Sequence, residues 1–263
     1  MRVLRGQWRV FIDKIAAVDA LGIVGFLFMP SSMTQLLLGL DERNLIELPA
    51  LQCRVDRALV APLSALQQRA AAAGFELRVA SSYRSFERQR LIWNNKALGL
   101  RPVLDSDGVP LDLTQMSEHA VVMAILRWSA LPGASRHHWG TDIDVYDASR
   151  MAPDYQLQLT VAETQGDGPF AEFHRWLNDE LQAPGSEFFR PYAEDRGGIA
   201  PEPWHLSYAP RADELSQHYS ETLLREQLQV TDLQLKNTVL ENLGDIYSRF
   251  VSIDAHSTRQ PNC

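Results

Sequence analysis

Two histidines and a pair of carboxylates carry the chemistry that this 263-residue chain offers. In SRHHWGTDID, residues 135–144, His137 precedes Asp144 by seven positions, and in EPWH, residues 202–205, Glu202 stands three positions before His205. Two imidazoles and one carboxylate are a common donor set for a catalytic zinc ion, which keeps a fourth position open for water. A further carboxylate that stays off the metal, here Glu202, is what such a centre needs as general base. Residue types and spacing alone therefore point to a metal site with hydrolytic capability, and no further.

The local pattern says how these side chains are delivered. Gly140, between His137 and Asp144, marks a tight turn where a side chain would hinder close backbone approach. Residues 141–146 alternate, Ile143 and Val145 to one face and Asp142, Asp144 and Tyr146 to the other, the mark of a half-buried strand. Asp144 is expected to project from that strand and His137 from the loop that enters it. Residues 204–208 alternate in the same way, His205 and Ser207 against Trp204, Leu206 and Tyr208. A straight strand would set Glu202 and His205 on opposite faces, so Pro203 is expected to bend the chain before the strand begins.

Three separated motifs occur in order: SxYRS…Q, SxHxxG with an aspartate four positions after the glycine, and ExWH. Here they are Ser82, Tyr83, Arg84, Ser85 and Gln89; then Ser135, His137, Gly140 and Asp144; then Glu202, Trp204 and His205. Together they resemble the VanY/VanX-type zinc D-Ala-D-Ala carboxypeptidases and dipeptidases (peptidase family M15), over roughly residues 50–210. The resemblance implies an α+β fold, a small central and mainly antiparallel sheet flanked by helices (hedgehog/DD-peptidase-like), with a C-terminal helical extension. It implies Zn2+ on His137, Asp144 and His205, Glu202 as catalytic base, and a peptidoglycan peptide or muropeptide losing its C-terminal D-Ala. Arg84 would hold the terminal carboxylate or the developing oxyanion through its planar fork of donors. Gln89, Tyr83, Ser135 and Trp204 are the further substrate-binding candidates, although Ser82 and Tyr83 serve equally well as packing or turn residues. One departure is Asp142, where many members carry Ala. An extra carboxylate beside the metal is expected to alter substrate charge preference.

Two other readings stay open at this level. Endopeptidase or dipeptidase action on cell-wall peptides uses the same metal site, and D,D and L,D bonds are not distinguished. A non-catalytic metal-bearing binding module of the same fold is the other, against which Glu202 argues, because a structural zinc needs no base.

The elements that must position these residues can be read in outline. Leu59, Leu63, Leu66 and Ala70 keep helical spacing up to Gly74, and residues 75–79 alternate as a strand. Arg84 then stands just after a strand, at the start of a helix that carries Gln89 and Trp93. Residues 101–113, with Pro, Asp and Gly, are expected as a loop at the rim of the site. Ser117 caps a helix buried through Val122, Ile125 and Leu126, with His119 at the surface. His138 either lines the cleft or does nothing chemical. Phe170, Phe173, Trp176 and Leu177 mark an amphipathic helix in which His174 is structural or exposed. Tyr192 and Trp204 are candidate walls for a peptide, and Tyr208 is expected to pack. Val239, Leu240, Leu243, Ile246, Tyr247 and Phe250 recur at helical intervals, giving one long helix preceded by a shorter one, packed on the catalytic domain or at a dimer contact.

The domain reading is a segment over residues 1–35, a catalytic domain over 36–210, a helical extension over 211–253 and a disordered tail over 254–263. Arg2, Arg5 and Arg9 precede an apolar run at residues 20–29, as in a signal sequence, but Asp13, Lys14 and Asp19 interrupt the approach. That run is shorter than the ~20 residues a bilayer span takes. Signal or anchor, packed helix, and upstream extension before Met33 all remain open, and with them bacterial cytoplasm or periplasm. No firm membrane association is expected. An apolar content of 45% suffices for a large core, while a net charge of −8 disfavours a nucleic-acid partner. Cys53 and Cys263 have no metal spacing, and a disulfide between them is left open. Oligomeric state is not legible.

Overall fold

The alternation of residues 141–146 becomes the strand on which the other elements hang. The computed structural model describes residues 32–252; the apolar run at 20–29 and the tail at 254–263, with Cys263, lie outside them. The chain runs α1 (Ser32–Leu37), the hairpin strands β1 (Leu45–Leu48) and β2 (Cys53–Asp56), α2 (Val60–Ala72), β3 (Leu77–Ser81), α3 (Phe86–Ala97) and α4 (Glu118–Leu126). There follow β4 (Asp142–Asp147), α5 (Val161–Thr164), α6 (Ala171–Gln182), β5 (Phe188–Phe189), β6 (His205–Tyr208), α7 (Ala209–Ser216), α8 (Glu221–Val230), α9 (Lys236–Glu241) and α10 (Leu243–Ile246). The main sheet has the order β3-β4-β6-β5 and every pair is antiparallel. This is the α+β architecture expected, a small antiparallel sheet flanked by helices.

The two faces of β4 part company as the alternation requires. Ile143 and Val145, with Leu206 of β6, pack against Leu63, Leu66 and Ala70 of α2 and Phe173 and Leu177 of α6. Fully burying each such side chain contributes about 1.5–3 kcal/mol, so the sheet is held by this face. The opposite face is free for chemistry. β3 begins at Leu77, two residues later than the alternation suggested. The amide of Phe75 closes the end of α2 by donating to the Ala70 carbonyl, and its ring packs edge-on against Phe173.

A second core joins the C-terminal helices to the middle of the chain. Trp93 of α3 and Val122, Ile125 and Leu126 of α4 share it with Leu224, Leu228, Val239, Leu243 and Ile246. The helix caps stand where the sequence put them, Ser85 accepting from the Arg88 amide and Ser117 from the Ala120 amide. The single long helix expected over residues 239–250 is broken. Asn242 sits at φ −106°, ψ 12°, its side-chain amide donating to the Thr238 carbonyl at 2.7 Å, and the chain resumes as α10 and a π-turn at Tyr247–Val251. A short polar side chain that bonds its own backbone competes in this way with helix propagation. Among the described residues no helix is long and apolar enough to cross a membrane, and Cys53 is a buried free thiol.

Candidate metal centre

Strand register builds the site. β4 and β6 pair so that Asp144 lies opposite His205 and Asp142 opposite Ser207. Residues two apart share a face, so both aspartates look the same way. His137 comes from the 3-10 turn Arg136–Trp139, which Gly140 ends at φ +69°. The Gly140 carbonyl is anchored by the Asp56 amide at 2.9 Å. Before β6 the His205 amide donates to the Glu202 carbonyl at 3.0 Å, closing a turn through Pro203. Arg190 Nε clamps that turn by donating to the Pro203 carbonyl. This is the bend that places Glu202 Oε2 3.2 Å from His205 Nδ1.

One donor atom from each of His137, Asp144 and His205 falls within 4.8 Å of the others. His137 Nε2 lies 3.4 Å from Asp144 Oδ2, and His205 Nδ1 lies 3.3 Å from Asp144 Oδ1. All three residues are buried, and each leaves a buried atom without a hydrogen-bond partner: His137 Nδ1, Asp144 Oδ1 and His205 Nδ1. Leaving such a group unmet costs about 1–3 kcal/mol. Two of these, Asp144 Oδ1 and His205 Nδ1, face each other across 3.3 Å, which fits a cation, and the nitrogen and oxygen donors are those that suit zinc.

Charge is balanced tightly here. Burial opposes the Asp144 carboxylate, but the neighbouring His137 and His205, with Arg84, hold its pKa below the usual range. Burial likewise opposes a charged His205, yet its hydrogen bond to Asp142 and the adjacent carboxylates of Glu202 and Asp144 raise it to about 10. A cation at this place competes with the His205 proton. Burial pulls the Arg84 guanidinium below the usual arginine range, partly offset by the facing charges of Asp144 and Glu202.

A cleft of about 220 Å³ opens on the cluster. Arg84, Ser135, His137, Asp144, Glu202 and His205 form its polar side, and Trp128, Leu159, Tyr192, Ile199 and Trp204 supply the wall. Leu159 is held at φ +54°, left-handed for a residue with a side chain, as Glu163 accepts from the amides of Gln158 and Thr160 on either side of it. Leu159, Ile199 and Trp128 escaped sequence reading because only the turn geometry around them aims them at the cleft.

Four expectations are corrected by placement. Gln89 lies behind Arg84, accepting from its Nη1 at 2.8 Å and donating to the Ala130 carbonyl at 2.6 Å, and does not line the cleft. Tyr83 lines a neighbouring cavity of about 460 Å³, its hydroxyl on the Gly39 carbonyl, and shares only Arg84 with the cleft. The loop at 101–113 contributes no lining residue; it turns inward through Val103, and the Trp128 indole donates to its Asp105 carbonyl. Asp142 is not beside the substrate either. It is fully buried behind His205, hydrogen-bonded on both oxygens, so it has no route to substrate charge.

His138 and His174 are structural. His138 Nδ1 bonds the Arg84 carbonyl at 2.6 Å and Nε2 accepts from the Gly133 amide at 3.0 Å, which spends both ring nitrogens on the backbone. His174 is buried against Phe173, and His119 is exposed.

A family model described as VanY, D-alanyl-D-alanine carboxypeptidase, matches residues 52–211. A protein of Haemophilus influenzae, described only as uncharacterized, is 45% identical over 100 residues, 37% of this chain and 68% of that one. A second, described in the same way and from the same organism, is 30% identical over 123 residues, 46% of this chain and 92% of that one. Among solved structures, VanYB in complex with D-Alanine-D-Alanine is 23% identical with a TM-score of 0.45, covering 72% of this chain and 89% of that one. The LdcB LD-carboxypeptidase is 20% identical with a TM-score of 0.45, covering 74% and 77%.

Proposed function

Since the chain belongs to the VanY family of D-alanyl-D-alanine carboxypeptidases, we propose that it is a zinc-dependent peptidase removing the C-terminal D-alanine of peptidoglycan-type peptides. The observation that carries this reading is the cluster itself. Three buried donors lie within 4.8 Å of one another, with a second carboxylate, Glu202, 3.2 Å from His205 and open to the same cleft.

His137, Asp144 and His205 would hold the zinc. When bound, it supplies Lewis acidity, polarising a carbonyl oxygen and making water acidic near neutral pH. Glu202 accepts the proton of the attacking water and returns it to the leaving amine. Its carboxylate is only partly buried, so it reaches both the cleft and the His205 ring. Arg84 presents the guanidinium hydrogens not used by Gln89 and Ser81 to the anionic part of the peptide, the terminal carboxylate or the oxyanion forming at the carbonyl. Tyr192 and Trp204 give the peptide an apolar wall.

The test is mass spectrometry of muropeptides incubated with zinc-loaded protein, with Glu202→Gln as control. Loss of one terminal D-Ala by the wild type is expected, slowed about 10²–10⁴-fold in the variant, as for removal of a general base. Cleavage at an internal or L,D bond would move the reading to an endopeptidase or L,D-carboxypeptidase. Stoichiometric zinc with no cleavage would leave a binding module.

A further inference from the structure

We infer that Asp142 is a positioning residue for the metal centre: it fixes the His205 ring so that Nδ1 is presented to the ion, and Arg136 is what allows a carboxylate to sit there. The inference rests on reading His137, Asp144 and His205 as ligands.

Asp142 is completely buried, on β4, two residues before Asp144. Its Oδ1 accepts from Arg136 Nε at 2.8 Å and lies 3.0 Å from His205 Nε2. Its Oδ2 accepts from Thr141 Oγ at 2.7 Å and Ser207 Oγ at 3.1 Å, and Ser207 Oγ in turn accepts from Arg136 Nη2 at 2.6 Å. An ionised carboxylate only accepts, so each partner must donate, and His205 Nε2 must carry hydrogen. A neutral imidazole with its proton on Nε2 keeps its lone pair on Nδ1. That is the atom facing Asp144 at 3.3 Å and Glu202 at 3.2 Å. Turning the ring over would set carbon against Asp142 Oδ1, losing that bond, and would turn Nδ1 away from Asp144 and Glu202. A carboxylate behind a ligand histidine also fixes its orientation and strengthens it as a donor.

Arg136 makes the arrangement possible. A lone buried carboxylate is expensive, and Arg136 compensates it while its own guanidinium lies over the rings of Trp139 (4.9 Å) and Phe189 (5.7 Å). The second imidazole has no such support. His137 Nδ1 is buried without a partner, so only His205 is held from behind.

Two measurements on the full chain test this. The first is the proton map of the histidine rings in zinc-loaded wild-type protein, by nitrogen-detected NMR. His205 is expected with hydrogen on Nε2 and metal on Nδ1, and the reverse pattern would overturn the inference. The second is zinc affinity by competition with a chromogenic chelator, in an Arg136→Met background that avoids stranding the cation. Adding Asp142→Ala should weaken zinc about 10- to 100-fold relative to wild type. Adding Asp142→Asn instead, which restores an acceptor oxygen, should recover most of that loss. Folding is checked by circular dichroism of the metal-free proteins. Folded variants that bind zinc like wild type, or equal weakening by Ala and Asn, would sink the inference alone. A wild type that binds no zinc would sink the metal-centre reading as well.

Discussion

Replacing Gly140 by alanine measures how tightly the turn between His137 and Asp144 is drawn. Gly140 is at φ +69°, and an added Cβ would stand 2.7 Å from the Asp56 amide nitrogen and 2.7 Å from Leu45 Cδ2. The leucine methyl can swing aside. The amide cannot, because it is bonded to the Gly140 carbonyl at 2.9 Å and belongs to β2, which is paired with β1. Left-handed backbone costs an L-residue about 1–2 kcal/mol. Displacing packed backbone adds about 1–3 kcal/mol. Reduced freedom of the unfolded chain returns about 0.4–1 kcal/mol. The net expectation is about 2–4 kcal/mol by these terms, or a fall in Tm of roughly 5–15 °C for a chain of this size. Gly74→Ala is the control, since Gly74 is at φ +90° with nothing within 4 Å of the new methyl, so it carries strain alone, about 1 kcal/mol. Urea unfolding of the metal-free proteins, followed by tryptophan fluorescence, compares the two. Zinc affinity should fall for Gly140→Ala only, because the turn sets the separation of two ligands. Equal stability losses at the two glycines, or unchanged zinc affinity at Gly140, would refute the reasoning.

Three further outcomes are expected. Arg84→Lys cannot reproduce the fork that meets Gln89 and Ser81 while reaching the cleft, so kcat/KM on a D-Ala-ended peptide should fall about 10²–10³-fold with zinc binding intact; loss of zinc would place Arg84 in the wrong role. Burial, helped by the positive charge of Arg190, lowers His174 to about 3. The unfolded chain takes up this proton first as pH falls, so the stability is complete above about 6.5 and lost toward 3. His174→Leu should therefore reduce the stability difference between pH 7 and pH 5 by roughly 2 kcal/mol in denaturant titrations, and an unchanged difference would contradict the assignment. Leu243→Ala, at a fully buried site shared with α3 and α4, should cost about 2–5 kcal/mol in urea at any protein concentration. A smaller loss that depends on concentration would move that surface to a dimer contact.

Much of the site was legible because its signals are local. The donor types at His137, Asp144, Glu202 and His205, the glycine between two of them, the period of two through residues 141–146, and the serine caps at Ser85 and Ser117 are each decided within a few residues. Proximity was legible too wherever the chain turns at once, as through Pro203. Tertiary structure decided the rest. Period two places Asp142 and Asp144 on one face and treats them alike; only the register of β6 against β4 sets one carboxylate toward Nδ1 and the other toward Nε2 of the same ring. Gln89 shares a motif with Arg84, but its partner is the Ala130 carbonyl, 41 residues away, and that bond draws it behind the arginine. The helical period over residues 239–250 could not register that Asn242 would bond its own backbone and break the helix. Spacing along a chain records which side chains share an element and a face, whereas the atom each one meets depends on how distant strands and helices pair, and that pairing is fixed by the packing of the whole core.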